Sequence, residues 1–312
     1  MKNCLYFLLL VLALSGCSRQ SEKVYVFSYF TNNGEDGLHL AYSEDGFKWQ
    51  MLNDGKSFLK PELSKDKLMR DPCIIRGGDN RFHMVWTVSW NEKSIGYASS
   101  TDLVHWSEQQ MIPVMVKEEK TKNCWAPEIT YDAENNIYMI YWASTIEGKF
   151  TKGPTSEDKY NHRMYYVTTS DFKTFSETKL LYDPGFNIID ASIVPIDGKF
   201  VMFFKDETLV PPQKNIHIAC ADSLTGPYSY VTGPITGNYW AEGPTCLALD
   251  DSYLVYFDKY MEGCFGAIQS SDLKTWTDIS SQIVLPEGIR HGSILTITKS
   301  EFEKLLDEIN KK

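Results

Sequence analysis

Positive charge is scarce in this chain. Lys and Arg number 31 against 41 Asp and Glu over 312 residues, a formal net charge of -10. Nucleic acid is held through dense Lys/Arg patches, so this balance excludes it as the main partner. It equally excludes a polybasic contact with a membrane surface. Long apolar runs are also missing: the N-terminal one, Leu5 to Leu14, is too short to span a bilayer. Cysteine is sparse at 7 residues, with no CxxC pair and no His spacing that suggests zinc. What is abundant is aromatic, with 18 Tyr, 16 Phe and 8 Trp. Aromatics favour strands and also build platforms for sugars, and composition does not separate the two uses. At 43% hydrophobic and 23% charged the chain is globular, and its length suits two domains or one all-β propeller or barrel.

Met1 to Gly16 places Lys2 before the apolar run, the pattern of a secretory signal. It ends in Leu14-Ser15-Gly16-Cys17, which resembles the lipobox of bacterial lipoproteins. That resemblance implies cleavage after residue 16, lipidation of Cys17, and a lipid-anchored place in the bacterial cell envelope, facing the periplasm or the cell surface. Residues 17–23 then form a polar tether. Of the other cysteines, Cys73, Cys124, Cys220, Cys246 and Cys264, most sit in apolar strand-like runs and are expected as buried, reduced small hydrophobes. One disulfide is the alternative outside the cytoplasm, but no pair is marked.

Internal repetition carries the fold. Ser43-Glu-Asp-Gly-Phe-Lys-Trp49 recurs as Ser100-Thr-Asp-Leu-Val-His-Trp106, Thr169-Ser-Asp-Phe-Lys-Thr-Phe175 and Ser270-Ser-Asp-Leu-Lys-Thr-Trp276, with a looser copy at Ala221 to Tyr228. Each follows an alternating strand-like stretch and reads as a strand, an Asp- or Gly-bearing turn and a re-entering aromatic. A second series interleaves: Arg70-Asp-Pro-Cys-Ile-Ile75, Trp125-Ala-Pro-Glu-Ile-Thr130, Asp190-Ala-Ser-Ile-Val194, Glu242-Gly-Pro-Thr-Cys-Leu247 and His291-Gly-Ser-Ile-Leu295. The first four lead into a second strand, at Phe82–Trp86, Ile137–Trp142, Phe200–Phe204 and Tyr253–Phe257. Units of roughly 50–65 residues with about four strands predict propeller blades, five of them, with no room for a second domain.

The N-terminal unit, Val24 to Trp49, lacks an opening strand, and the C-terminal stretch, Arg290 to Thr298, is an opening strand without outer ones. Together they complete one blade and tie the ring shut, which removes exposed edges. The expected organisation is therefore a propeller over 24–299 and a short C-terminal helix over 300–312. Ser300 and Glu303 suit a capping box, and Phe302, Leu305, Leu306 and Ile309 form one apolar stripe.

The opening strand of a propeller blade lines the central channel, so ionisable residues at these starts converge. Here they are Asp71, Asp190, Glu242 and His291, at what reads as one register, with Glu128 two residues past the aligned Ala126. Carboxylates are depleted in strands. Clustered, they split their pKa values, so that one stays ionised while another is held protonated. That is the equipment of glycoside hydrolysis, and entry from different blades predicts an inverting arrangement with acid and base roughly 6.5–9.5 Å apart.

Arg70-Asp71-Pro72, Trp125-Ala126-Pro127-Glu128, Ile189-Asp190-Ala191-Ser192, Ala241-Glu242-Gly243-Pro244 and His291-Gly292-Ser293 together resemble glycoside hydrolase family 43, over nearly all of the chain beyond its leader. The resemblance implies a five-bladed propeller with Asp71 as general base, Glu242 as general acid and Asp190 as the carboxylate that orients the acid and raises its pKa. It places His291 in the channel beside a bound calcium or water, with no cofactor required. Glu128 contacts sugar or organises the channel. Arg-Asp-Pro also occurs in related fructan and sucrose hydrolases, but their Asn-Asp-Pro and Glu-Cys segments are absent here. Trp125, Trp240 and Trp90 lie near the channel mouth as candidate sugar platforms. Arg290 reaches a sugar hydroxyl or makes an outward salt bridge. The polar insertion Glu147 to Arg163 is a candidate substrate filter, as loops carry specificity on such scaffolds. The implied partner is an oligo- or polysaccharide, and the chain is expected as a monomer. An exo-acting α-L-arabinofuranosidase is the first expectation, with β-xyloside or β-galactoside cleavage and a non-catalytic carbohydrate-binding propeller as alternatives.

Overall fold

Short apolar runs broken every few residues by Gly, Asn, Asp or Pro satisfy their backbone groups by pairing with neighbours. In the computed structural model, which describes residues 23–151 and 160–311, they pair as five four-stranded antiparallel sheets. The expected leader, Cys17, all of the tether but Lys23, residues 152–159 of the polar insertion and Lys312 lie outside the described residues. No described helix is long and apolar enough to cross a membrane.

The chain opens with β1 (Lys23–Phe30), β2 (His39–Ser43) and β3 (Gln50–Met51). The second blade is β4 (Arg70–Arg76), β5 (Phe82–Thr87), β6 (Ile95–Ser100) and β7 (Gln110–Ile112). The third is β8 (Trp125–Asp132), β9 (Ile137–Ser144), β10 (Arg163–Thr169) and β11 (Lys179–Tyr182). The fourth is β12 (Ile188–Ile196), β13 (Lys199–Asp206), β14 (Asn215–Ala221) and β15 (Ser229–Thr232). The fifth is β16 (Glu242–Ala248), β17 (Tyr253–Lys259), β18 (Cys264–Ser270) and β19 (Thr277–Asp278). β20 (Arg290–Thr298) then pairs antiparallel with β1, in the order β20-β1-β2-β3, before α1 (Lys299–Asn310) ends the chain. The first blade is thus built from both ends of the chain, as its missing strand implied.

The inner strands β20, β4, β8, β12 and β16 pack each on the next, and β16 on β20, around the channel. Apolar layers fill the five gaps between neighbouring blades. Most of the aromatic excess is spent there: Trp86, Trp142, Tyr141, Tyr256 and Phe27 are fully buried. Cys73, Cys124 and Cys246 are buried thiols, Cys264 is exposed, and no disulfide joins the described cysteines.

The repeated Asp-bearing segment proves to be a turn that satisfies its own backbone. Asp45, Asp102, Asp171 and Asp272 each accept hydrogen bonds from the N–H groups two and three residues on. The residue after each Asp is left-handed, at φ 76, 66, 54 and 60 for Gly46, Leu103, Phe172 and Leu273. The repeat is therefore a joint between third and fourth strands. The C-terminal helix begins one residue earlier than expected, and its capping box is Thr298 with Glu301, not Ser300 with Glu303. Thr298 ends β20 in an extended conformation, which leaves its hydroxyl free to accept the Glu301 N–H. The stripe docks as expected: Phe302 and Leu305 are buried between the first two blades, with Leu306 and Ile309 packed beside them.

Candidate active site

The site is built on one local irregularity repeated around the ring. Each inner strand carries a β-bulge near its start, at Arg70/Cys73, Trp125/Glu128, Ile189/Ser192 and Glu242/Thr245, with the corresponding shift at Ser28/Phe30 opposite β20. A bulge leaves a residue unpaired and re-aims its side chain. In four strands that residue is left-handed: Asp71 (φ 52), Ala126 (φ 45), Asp190 (φ 53) and Gly243 (φ 58). This corrects the register read from sequence. Glu242 is equivalent not to Asp71 and Asp190 but to Arg70, Trp125, Ile189 and Arg290, one residue earlier, where the strands are still paired. Its blade's bulge position is taken by Gly243. A Cβ there would lie 2.3 Å from Cγ of His291, so the histidine ring occupies the space a side chain would need. The one-residue offset separates the two candidate catalytic carboxyls by position within the strand as well as by blade.

Asp71 is held from two sides. Thr87, on the strand paired with β4, donates its hydroxyl to Oδ2 at 2.8 Å, and His291 Nδ1 stands 3.4 Å from Oδ1. Burial alone would raise the carboxyl's pKa, but the hydrogen bond and charge of His291, with help from Arg70 and Thr87, outweigh it and hold Asp71 at about 2. Burial would likewise lower His291, yet Asp71, Asp190 and Glu128 around it push the ring up to about 9. The ring is therefore an imidazolium over the neutral range. Asp190 lies 3.9 Å from the same Nδ1 and accepts the Gly243 N–H at 3.1 Å. Burial, then the charge of Glu242, carries Asp190 well above the usual carboxylate range, against the pull of His291. Glu128 is raised to about 7 by burial, although His291 and the hydroxyls of Ser192 and Tyr141 oppose the shift.

Glu242 is held by cations. Lys205 Nζ is 3.0 Å from Oε2, and Arg290 is 3.4 Å from Oε1. Arg290 in turn donates Nε–H to Asp258 at 2.6 Å, so its salt bridge points inward to the site and not outward. Lys205, only 2% exposed, also meets Glu207 at 2.7 Å, and Glu207 pairs with Lys214.

A cavity of about 400 Å³ opens above these groups. Asp71, Asp190, Glu242, His291, Trp90, Trp125 and Trp240 all line it, so most of the residues picked from sequence are brought together. Trp90 and Trp125 meet edge to face at 5.6 Å, and the Arg70 guanidinium lies over Trp90. Glu128 and Arg290 do not line the cavity: Glu128 is buried against Tyr141 at 3.0 Å, and Arg290 braces Glu242. Sequence reading missed Thr87, Lys205, Glu207, Lys214, Asp258 and Tyr260. A signal existed for three of them. Thr87, Lys205 and Asp258 each follow directly on the apolar second-strand runs and pair across from Arg70, Ile189 and Glu242.

The channel does not suit a calcium cage. Calcium takes roughly six to eight oxygens, whereas the Asp71 and Asp190 carboxyls are turned to Nδ1 of His291. Among the described residues, the three-member group of close potential ligands is Asp102, His105 and Glu308, away from this cavity.

The titrations predict a pH profile for stability. Asp71, lowered to about 2 from 3.8, contributes stability above pH 3.8 that is lost as pH falls through about 2. His291, raised to about 9 from 6.5, contributes fully below pH 6.5 and loses it as pH rises through about 9. Glu128, raised to about 7 from 4.5, has the same sign over that lower window. Tm measured by circular dichroism should therefore peak on the acidic side and decline toward pH 9, with the decline above pH 6.5 flattened in His291→Gln. A Tm that climbs over that range would contradict the charged histidine.

Similarity to known proteins agrees with this architecture. An α-L-arabinofuranosidase of Bifidobacterium longum is 23% identical over 298 residues, covering 79% of this chain. The match takes in 28% of that protein's length, so the chain spans little more than a quarter of it. An endo-1,4-β-xylanase structure from Bacteroides thetaiotaomicron superposes with a TM-score of 0.57 at 14% identity, covering 83% of this chain and 91% of that one. A thermostable family-43 glycoside hydrolase does so with a TM-score of 0.54 at 18% identity, covering 72% and 78%. At these identities the two structures establish a shared fold. A family model described as a "probable glycosyl hydrolase domain" matches residues 21–303, and the chain belongs to that glycoside hydrolase 43-related family.

Proposed function

We propose that this chain hydrolyses glycosidic bonds with inversion of the anomeric centre, acting from the end of a plant-type oligo- or polysaccharide, with α-L-arabinofuranosides as substrate. The observation that carries the reading is that Asp71 and Glu242 line one cavity from blades that are not neighbours. Asp71, kept ionised by His291, takes a proton from water as the water oxygen bonds to the anomeric carbon. The bond from that carbon to the glycosidic oxygen breaks, and this oxygen takes the proton of Glu242. Asp190 orients the acid through the backbone, since its carboxyl holds the N–H of Gly243, the next residue. Trp90, Trp125 and Trp240 supply faces for the sugar, and a cavity of about 400 Å³, small among ligand sites, favours a chain end over a long segment. The Bifidobacterium relative supports the choice of arabinofuranoside.

The test is a panel of nitrophenyl arabinofuranoside, xyloside and galactoside on wild type and Glu242→Gln. Arabinofuranoside turnover with inverted product by proton NMR is expected, falling about 10²-fold in Glu242→Gln. The loss is at the low end of the range because nitrophenolate leaves with little protonation. Retained configuration, or full activity in Glu242→Gln, would defeat the mechanism. Inactivity on all three sugars would favour the non-catalytic binder. We further propose that the protein is lipid-anchored at Cys17 in the bacterial envelope. Labelled palmitate should enter wild type and not Cys17→Ala, and label retained in the variant would refute the anchor.

A further inference from the structure

We propose that Lys205 is the positioning residue of Glu242, fixing Oε2 and leaving Oε1 as the oxygen that carries the proton. The inference rests on the proposed acid role of Glu242 and goes beyond it. Lys205 pairs across from Ile189 just before the bulge of β12, so its ammonium enters the site beside Asp190 and reaches the fifth blade. It is 2% exposed, lies over the Tyr260 ring at 4.5 Å, and is fixed from behind by Glu207, which Lys214 holds in turn. A long side chain locked this way gives Glu242 one immobile contact, at 3.0 Å. The contact on Oε1 is looser: Arg290 is 3.4 Å away, 31% exposed, and already bound to Asp258. A sugar hydroxyl or the glycosidic oxygen entering the cavity can replace Arg290 at Oε1 without disturbing Oε2.

Glu242 is faced by Lys205 from β13, Arg290 from β20, Asp258 from β17 with Tyr260 beyond it, and Asp190 from β12. Of the cations, Lys205 makes the shortest contact with Glu242. Arg290 shares its charge with Asp258, and His291 shares its charge with Asp71 and Asp190.

The experiment compares kcat and KM on a nitrophenyl glycoside, whose leaving group needs little help from an acid, with those on an alkyl glycoside of the same sugar, which needs it. In Lys205→Met kcat on the alkyl glycoside is expected to fall about 10²-fold with KM little changed, because Oε2 loses its fixed contact, while the nitrophenyl substrate loses far less. Lys205→Arg should show the same split, because a planar guanidinium misplaces Oε2, and it serves where Lys205→Met fails to fold. Unchanged kcat in a folded variant, or an equal loss on both substrates, overturns the proposal. Full activity in Glu242→Gln would instead strike the acid role, so the two failures are distinct.

Discussion

Asp71→Asn is expected to lower kcat about 10⁴-fold, the upper end of what a positioned base contributes, on whichever glycoside the wild type cleaves. The loss should exceed that of Glu242→Gln on nitrophenyl substrates. A good leaving group relieves the need for an acid, but no substrate relieves the need to deprotonate water. Asn keeps the size of Asp71 and still accepts from Thr87, so the backbone at φ 52 is undisturbed. What it removes is the charge that His291 faces at 3.4 Å. The histidine keeps Asp190 as a partner at 3.9 Å, which limits the cost to folding. Kinetics on the variant, with circular dichroism to confirm folding, give the answer. Activity within tenfold of wild type would remove Asp71 from the base role.

Gly243→Ala is expected to destabilise the fold and silence the site together. The residue sits at φ 58, and a Cβ would fall 2.3 Å from His291 Cγ and 2.5 Å from its Cδ2. A left-handed alanine costs ~1–2 kcal/mol, and crowding in a packed interior ~1–3 kcal/mol. Urea denaturation should register a loss of about 2–5 kcal/mol in all. Relief comes from moving the His291 ring, which is the group that keeps Asp71 ionised. Activity should therefore fall further than the loss of folded protein explains. The check is a double-mutant cycle. In a His291→Ala background the ring contacts are gone and only the Cβ at 2.9 Å remains, so Gly243→Ala should cost little more than the backbone share of ~1–2 kcal/mol. Equal costs in both backgrounds would show that the ring and the glycine do not compete for space.

Much of this site was legible because it repeats. The Asp- or Gly-bearing turns and the second series of short motifs recur at blade length, and periodicity of that kind survives without coordinates. Asp71, Asp190, Glu242 and His291 could be picked as a set for the same reason. The register could not. Glu242-Gly243 and Asp190-Ala191 look alike as strings, an acid before a small residue, and only strand pairing shows that the bulge falls on Gly243 in one and on Asp190 in the other. The capping box slipped by one residue for a related reason. Thr298 and Ser300 are both good caps, and the choice between them is made by where β20 stops pairing with β1.

By itself the sequence determined the blade count, the closure of the ring by its two ends and the identity of the converging carboxylates. These follow from local patterns, namely alternation, turn chemistry and repeat length. The tertiary structure decided the partners. Lys205 is bound to Glu242, 37 residues on, and Asp258 to Arg290, 32 residues on, each across a blade boundary. Lys205 reads as an ordinary strand-end charge in the chain, because burial and neighbouring charge depend on how the blades meet. The protonation pattern is decided there too. Asp71 and Asp190 occupy the same bulge position, yet the field of His291 holds one ionised while burial and Glu242 raise the other.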